Sequence, residues 1–273
     1  MTQPIPLLTI AGSDSGGAAG AQADLKTWAA LGAYGMSAIT AVTAQNSAQV
    51  AAVHYLPPEM VAAQIDAVLS DYGAAAVKTG FLGRVELVEV VAERLAYWRE
   101  AGRGGSQTRP YIVVDPVLVN HRGEAMFAPE VAAAYRRLLC PLADLVTPNQ
   151  AEAALLDLLE DGPRFAPATL RPSDVSGLRR VLLKGIRRGD EMIDVYQDGQ
   201  TQTELPQPRI DTRNTHGSGD TLSAAVCAYV ALGHAWPEAV RRAQTFTYAA
   251  IGRGAAWRMG AGHGPVGVTS DER

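Results

Sequence analysis

The chain has 273 residues, 47% of them apolar and 19% charged, with 27 glycines, 16 prolines and a formal net charge of −4 at pH 7. This balance excludes a low-complexity or collagen-like chain and supplies enough apolar material for one large core. There is no basic excess, and the arginine pairs at 136/137, 179/180, 187/188 and 241/242 are scattered, so a nucleic-acid partner is not expected.

The opening MTQPIPLLTIAG has no basic leader, and its apolar run is too short for a signal peptide or a membrane span. A cytoplasmic protein without membrane association is the expectation. Short β-rich runs follow at 6–12 (PLLTIAG), 36–44 (MSAITAVTA), 74–80 (AAAVKTG), 111–117 (YIVVDPV), 144–149 (DLVTPN) and 180–185 (RVLLKG). Between them lie helix-length stretches. In PPEMVAAQIDAVLSDYG, Pro57 and Pro58 mark the start and Gly73 the stop, and Met60, Val61, Ile65, Val68 and Leu69 recur at i, i+3, i+4 spacing. GRVELVEVVAERLAYW repeats the pattern. Strand, helix, strand alternation calls for an α/β fold, its strands paired in parallel and its helices on both faces of the sheet.

After Lys184 the texture changes. EMIDVYQDGQTQTELP is two alternating runs joined at Asp198-Gly199, which predicts a hairpin and an antiparallel edge. Two helices follow, SGDTLSAAVCAYVALG and WPEAVRRAQTFTYAAIGRG, and residues 264–273 are expected to form a loose tail. The stretch 160–174 (EDGPRFAPATLRPSD) is expected to be flexible but is too short to divide domains, so residues 1–273 form one domain. Cys140 and Cys227 sit among apolar neighbours, as reduced core thiols do.

Parallel sheets take ligands beyond the carboxyl ends of their strands. Here those ends carry Gly12-Ser13-Asp14, Lys78-Thr79-Gly80, Asp115-Pro116, Pro148-Asn149 and Lys184-Gly185, so one rim collects the chemistry. Neither a phosphate-binding Gly-x-x-x-x-Gly-Lys-Ser/Thr, a Gly-x-Ser-x-Gly elbow at Ser218, a His-Glu-x-x-His nor a paired-cysteine spacing occurs. Within AGSDSGGAAGAQADLK (11–26), Asp24 falls on the first turns of a helix that starts at the rim, and Gln45-Asn46 arrives from the second strand end. Polar groups converging from two strand ends suit a small heteroaromatic ligand.

The stretch NTHGSGDTLSAA (214–225) has two readings. It is a helix N-cap with an acid in its first turn, or it is an anion hole. In the second reading the free N–H groups of Gly217, Ser218, Gly219 and Asp220 hold a transferring phosphoryl, and Asp220 takes a proton from an attacking alcohol. Lys184, Asn149, Glu152 and Asp115 favour that reading. Phosphoryl transfer needs positive charge on the phosphate oxygens, which Lys184 supplies, and a metal, for which Asp115 and the Asn149/Glu152 pair offer the hard oxygens that hydrated Mg²⁺ prefers.

In order along the chain, AGSDSGGAAGAQADLKTWAALGAYGMSAITAVTAQNS, KTGFLG, VVDPV, ADLVTPNQAEAALL, LLKG, TRNTHGSGDTLSAA and GHGP resemble the hydroxymethylpyrimidine/phosphomethylpyrimidine kinases of thiamine biosynthesis, within the ribokinase-like superfamily. The resemblance implies a three-layer α/β/α fold, ATP as cosubstrate with Mg²⁺, and a homodimer. The implied reaction is phosphorylation of the hydroxymethyl group of 4-amino-5-hydroxymethyl-2-methylpyrimidine, and then of its monophosphate to the diphosphate. By position, Gly12, Asp24, Gln45 and Val117 would contact the aminopyrimidine, with Phe81 standing where the family often has Met. Lys184, Asn149 and Glu152 would serve the nucleotide, Asp115 and Glu152 the metal, and residues 217–220 would form the anion hole.

Three positions depart from the family pattern. Ala18 replaces a usual Gly, KGIRRGDE replaces a usual KGGH and so alters whatever lid covers the phosphates, and Asp220 stands where many members have Cys. A carboxylate helps deprotonate an alcohol but repels an incoming phosphate, so the first phosphorylation is expected to be favoured over the second. Two rival readings stay open: a pyridoxal kinase, whose substrate also presents a hydroxymethyl on a nitrogen heteroaromatic ring, and a non-catalytic pyrimidine-binding regulatory protein.

Overall fold

A computed structural model describes residues 3–101, 109–120, 122–160, 170–171 and 177–269. Most of the 160–174 stretch therefore lies outside the described residues. The strands are β1 (Pro6–Asp14), β2 (Tyr34–Gln45), β3 (Val50–Tyr55), β4 (Ala76–Thr79), β5 (Tyr111–Val114), β6 (Leu145–Val146), β7 (Arg180–Arg188), β8 (Glu191–Asp198) and β9 (Thr201–Pro208). They form a single sheet in the order β3-β2-β1-β4-β5-β6-β7-β8-β9. From β2 to β7 every pairing is parallel. Both edges are antiparallel, β3 on one side and β8 with β9 on the other.

The helices are α1 (Gly20–Ala30), α2 (Pro58–Asp71), α3 (Val85–Ala101), α4 (Pro129–Ala134), α5 (Gln150–Leu155), α6 (Ser218–Ala231) and α7 (Trp236–Gly254). Alternation along the strands sorts them into two layers. Leu8, Ile10, Ile112, Val114, Val181 and Leu183 point to the face packed by α2 and α3, through Val61, Ile65, Leu87, Val91 and Leu95. Leu7, Ala76, Val113, Leu145 and Leu182 point to the opposite face, against Trp28 of α1, the small-residue stripe Ala224-Ala225-Ala228 of α6, and Val240 and Ala243 of α7. Trp28 also donates its indole N–H to the Ala224 carbonyl at 2.8 Å, tying α1 to α6. The result is the expected three-layer α/β/α arrangement, and it brings the N-termini of α1 and α6 to the carboxyl-end rim.

One strand was not anticipated from the sequence, and one expectation needs correcting. Val50–Tyr55 is a strand although its side chains are exposed almost throughout and carry no alternating pattern. The residues 264–268 are not loose: the N–H of His216 donates to the Gly264 carbonyl, that of Val266 to the His216 carbonyl, and that of Gly267 to the Ala250 carbonyl. Gly264 and Val266 are buried; residues 270–273 lie outside the described part. Cys140 and Cys227 are free and buried, and burial pushes the Cys140 thiol up to about 12. No described helix is long and apolar enough to cross a membrane.

Candidate active site

The strand ends open into a cleft of about 1320 Å³ whose wall includes Gly12, Gln45, Phe81, Asp115, Val117, Asn149, Glu152, Lys184 and residues 218–220. The first loop is shaped by Asp14, whose carboxylate accepts the N–H groups of Gly16 (2.8 Å), Ala18 (2.9 Å) and Ala19 (2.9 Å). This curls residues 14–19 into a bowl. Among the described non-glycine residues only Asp157 has a positive φ, so Ala18 sits in ordinary backbone and the exchange from Gly adds no strain there.

Against this bowl lies the glycine-rich turn before α6. Gly217 has φ +80°, and a Cβ on it would fall 1.7 Å from the Ala18 carbonyl oxygen, so only glycine permits the two loops to meet. Behind it, Asn214 donates its side-chain N–H groups to the carbonyls of Gly254 (2.7 Å) and Trp257 (2.8 Å), and the 264–266 segment bridges to His216. The NTHG and GHGP motifs thus dock on each other and fix where α6 begins.

Of the four amides expected to form the anion hole, three are without a partner among the described residues and one is not. The N–H groups of Gly217, Gly219 and Asp220 have no partner among the described residues, whereas Ser218 donates to the Thr215 carbonyl at 3.1 Å and is already used. Lys184 reaches the same place: its Nζ lies 3.1 Å from where a Cβ on Gly219 would stand. Its ammonium also pairs with Asp115 Oδ1 at 2.6 Å, and Asp115 Oδ2 accepts from Ser223 Oγ at 2.9 Å.

Asn149 and Glu152 form a capping box at the start of α5. Glu152 Oε2 accepts the Asn149 N–H (2.8 Å), and Asn149 Oδ1 accepts the Glu152 N–H (3.0 Å). Both residues of this capping box also line the cleft. Burial pushes the Glu152 carboxyl up to about 7 against the pull of Lys184, and the negative charge of Asp115 adds to the rise.

Elsewhere in the cleft, Gly12 faces Phe81 so closely that a Cβ would lie 3.0 Å from the ring. Phe81 stacks on Tyr55 (centroids 6.1 Å, 13°) and meets Phe127 edge-on (5.5 Å), building an aromatic wall. Gln45 Nε2 is 3.2 Å from His216 Nε2. Asp24 is not in the cleft. It is fully buried, its two oxygens taken by Lys78 Nζ and Thr9 Oγ1 at 2.6 Å each, so it cannot contact an aminopyrimidine directly.

Asp220 does face the cleft, on the first turn of α6, and its Oδ1 accepts from Lys78 Nζ at 3.2 Å. Burial pushes its carboxyl up, but the Lys78 ammonium, that hydrogen bond, Lys184 and His216 outweigh it, so the acid is held below the usual carboxylate range. It is ionised at neutral pH and lies beside the unpartnered N–H groups at the start of α6.

The chain matches the family model described as phosphomethylpyrimidine kinase over residues 14–267. The chain belongs to the phosphomethylpyrimidine kinase family. A hydroxymethylpyrimidine/phosphomethylpyrimidine kinase from Rhizobium meliloti (strain 1021) is 46% identical over 267 residues, 95% of each chain. Among solved structures, the pyridoxal kinase from Staphylococcus aureus in complex with ADP is similar at TM-score 0.83 and 34% identity, covering 100% of this chain and 96% of that one. The same enzyme with AMP-PCP and pyridoxal gives TM-score 0.81 at 33% identity, with the same coverage. Phosphomethylpyrimidine kinase from Clostridium difficile 630 gives TM-score 0.73 at 34% identity over 90% of this chain and 99% of that one.

The sequence reasoning placed Asp14 and Lys78 on the rim, and His216 and Ser223 within the 214–225 motif, but gave none of the four a role of its own. Lys78 had a visible signal, an ammonium inside an otherwise apolar strand, which demands a buried counter-charge. The KGIRRGDE stretch is the turn of the β7–β8 hairpin, with a register shift between Leu183 and Ile186: Ile186 is buried, Arg187 pairs with Met192, and Arg188 forms an exposed ion pair with Glu204.

Proposed function

We propose that this kinase transfers the γ-phosphoryl group of ATP to the hydroxymethyl group of 4-amino-5-hydroxymethyl-2-methylpyrimidine, and then, less efficiently, phosphorylates the monophosphate, in thiamine biosynthesis. One observation carries the proposal: three unpartnered amides at a helix N-terminus share the cleft edge with an ionised, oriented carboxylate. The amides and Lys184 steady the migrating charge, and Asp220 draws the proton from the alcohol as it attacks. The aminopyrimidine lies between Gly12, Gln45, Phe81 and Val117. The adenine lies toward the β8 side of the cleft, among Met192, Ile210, Tyr248 and Ile251, where the lining is apolar.

The donor chemistry fits Mg²⁺. Asp115 and Glu152 are buried carboxylates that both line the cleft, and Glu152 is raised chiefly by burial, with the negative charge of Asp115 adding to the rise. Mg²⁺ keeps several of its own waters and is held by one or two carboxylates together with substrate phosphates. When bound, Mg²⁺ supplies charge neutralisation on the phosphate oxygens. Asp115 and Glu152 would hold it, with Asn149 orienting Glu152.

A homodimer in the cytoplasm completes the proposal. The unpaired outer edge of β3, with Val50 and Val53 exposed beside Val42 of β2, offers a strand edge for a second copy. Light scattering would return the mass of two chains, and that of one chain would refute this part.

The likeness to a pyridoxal kinase favours a second reading, since Asp220 suits any hydroxymethyl acceptor. ADP release measured with hydroxymethylpyrimidine, its monophosphate and pyridoxal decides. The expected order is pyrimidine alcohol first. Faster turnover of pyridoxal would hand the site to the second reading, and no ADP with any acceptor would leave a pyrimidine-binding protein.

A further inference from the structure

Lys78 sits beneath the cleft floor on β4, fully buried, between two acids: Asp24 Oδ1 of α1 at 2.6 Å and Asp220 Oδ1 of α6 at 3.2 Å. Asp24 is held in turn by Thr9 Oγ1 of β1 at 2.6 Å. Two helices therefore converge on one ammonium of β4, and only Asp220 reaches the cleft. Its Oδ2 has no partner among the described residues. We propose that Lys78 is a positioning residue which, with Asp24 as its counter-charge, grips Asp220 by one oxygen and presents the other to the acceptor hydroxyl. This deepens the kinase reading and rests on it.

The geometry explains why two acids are needed. A lone ammonium against Asp220 would lower its affinity for a proton and make it a poorer base. A lone Asp24 would repel it. The close Asp24–Lys78 pair is neutral in sum, so Asp220 keeps its orientation with only a moderated field. The charged and titratable groups around Asp220 are Lys78 from β4, Asp24 from α1, Lys184 from β7, Asp115 after β5 and His216 from the loop before α6. Of these, Lys78 holds the hydrogen bond to its side chain. Burial pushes Asp24 up to about 7 against the pull of Lys78, with Asp220 adding to the rise, so the pair becomes fully neutral only above that pH, whereas Asp220 is held low. The Cys227 thiol, held above its ordinary value by burial, adds no charge below.

The test is the pH dependence of kcat/KM on the pyrimidine alcohol and on its monophosphate, with ADP affinity as the check that each variant is folded. Asp24→Asn should move the acid limb for the alcohol to lower pH by about one unit, and Lys78→Met should move it up by a similar amount. The double variant removes both charges together, so its limb should return near that of the parent while the plateau rate stays at least about tenfold down from lost orientation. The monophosphate limb should not follow these shifts, because its attacking oxygen needs no base.

Should Lys78→Met fail to fold, Asp24→Asn and the double variant decide. A purely structural role would lower both acceptors' rates together and leave the limb in place. Unmoved limbs in folded variants, or shifts of the same sign in both single variants, would overturn the proposal. If the parent enzyme itself turns over neither pyrimidine, the kinase reading has failed instead.

Discussion

Replacing Asp220 by Asn separates the two phosphorylation steps. The amide has the volume of the acid, and its oxygen still accepts from Lys78 Nζ, 3.2 Å from Oδ1 in the parent. What it loses is the ability to take a proton. General-base assistance contributes about 10²- to 10⁴-fold, so kcat on the pyrimidine alcohol should fall by that factor, a barrier rise of about 3 to 5 kcal/mol.

The monophosphate behaves differently, since above its second ionisation near pH ~6 its attacking oxygen is already anionic. For that acceptor the parent carboxylate is a repulsive neighbour. At about 5 Å and an effective dielectric of about 20, each unit of acceptor charge meets about 3 kcal/mol of repulsion, less what Lys78 and Lys184 screen. The Asn variant should therefore hold or raise its rate on the monophosphate, and the ratio of second to first step should climb at least about 100-fold. Initial rates of ADP release with each acceptor, with ADP binding measured by calorimetry, give the comparison. Equal losses on both acceptors would refute the assignment of Asp220 as base.

Three further substitutions test the surrounding geometry. Gly219→Ala places a methyl 3.1 Å from Lys184 Nζ; the helix should tolerate it and gain up to about 1 kcal/mol in denaturant unfolding, while kcat falls about tenfold as the ammonium is displaced. Gly217→Ala combines positive φ with a contact of 1.7 Å to the Ala18 oxygen, so the melting temperature should drop by about 10 °C, and a change under about 2 °C would contradict the close approach. Glu152→Gln keeps a capping-box acceptor but cannot ionise. The parent carboxyl titrates at about 7 when folded and near 4.5 when unfolded, so the native state binds the extra proton between them and loses stability as pH rises through that window. In urea at pH ~8 without magnesium the variant should be more stable than the parent by up to about 3 kcal/mol. It should also bind magnesium more weakly in the presence of nucleotide, and identical pH profiles of stability would count against the reading.

The central sheet was legible because each parallel strand is a compact apolar run with polar punctuation at the rim. The misses share a cause, namely partners distant in the chain. β3 exists because Asn46 Oδ1 accepts the N–H groups of Ala48 and Gln49, turning the chain back along β2, and its own exposed side chains carry no pattern to announce it. Asp24 fell on the correct helix at the correct end. The register of α1 turns it inward with Ala21, Thr27 and Trp28, toward an ammonium 54 residues away. The glycines of 264–267 suggested slackness but serve close contact: a Cβ on Gly264 would stand 2.0 Å from Asn214 Oδ1. Composition alone cannot tell a glycine that frees the chain from one that lets two backbones touch.

The charge ledger of the cleft floor joins these pieces. Asp24, Asp220, Asp115 and Glu152 are set against Lys78 and Lys184, which leaves two negative charges over when all six are ionised. Buried charge of one sign is costly unless a ligand answers it. The surplus is divided between two places: one beside Asp115 and Glu152, where hydrated magnesium would sit, and one at Asp220, where the alcohol's proton arrives. Phosphoryl transfer to an alcohol brings a positive partner to each, the cation with the nucleotide and the proton with the acceptor. A passive pyrimidine-binding protein would have no use for either surplus, and the same floor would be more stable with Gln and Asn in those places.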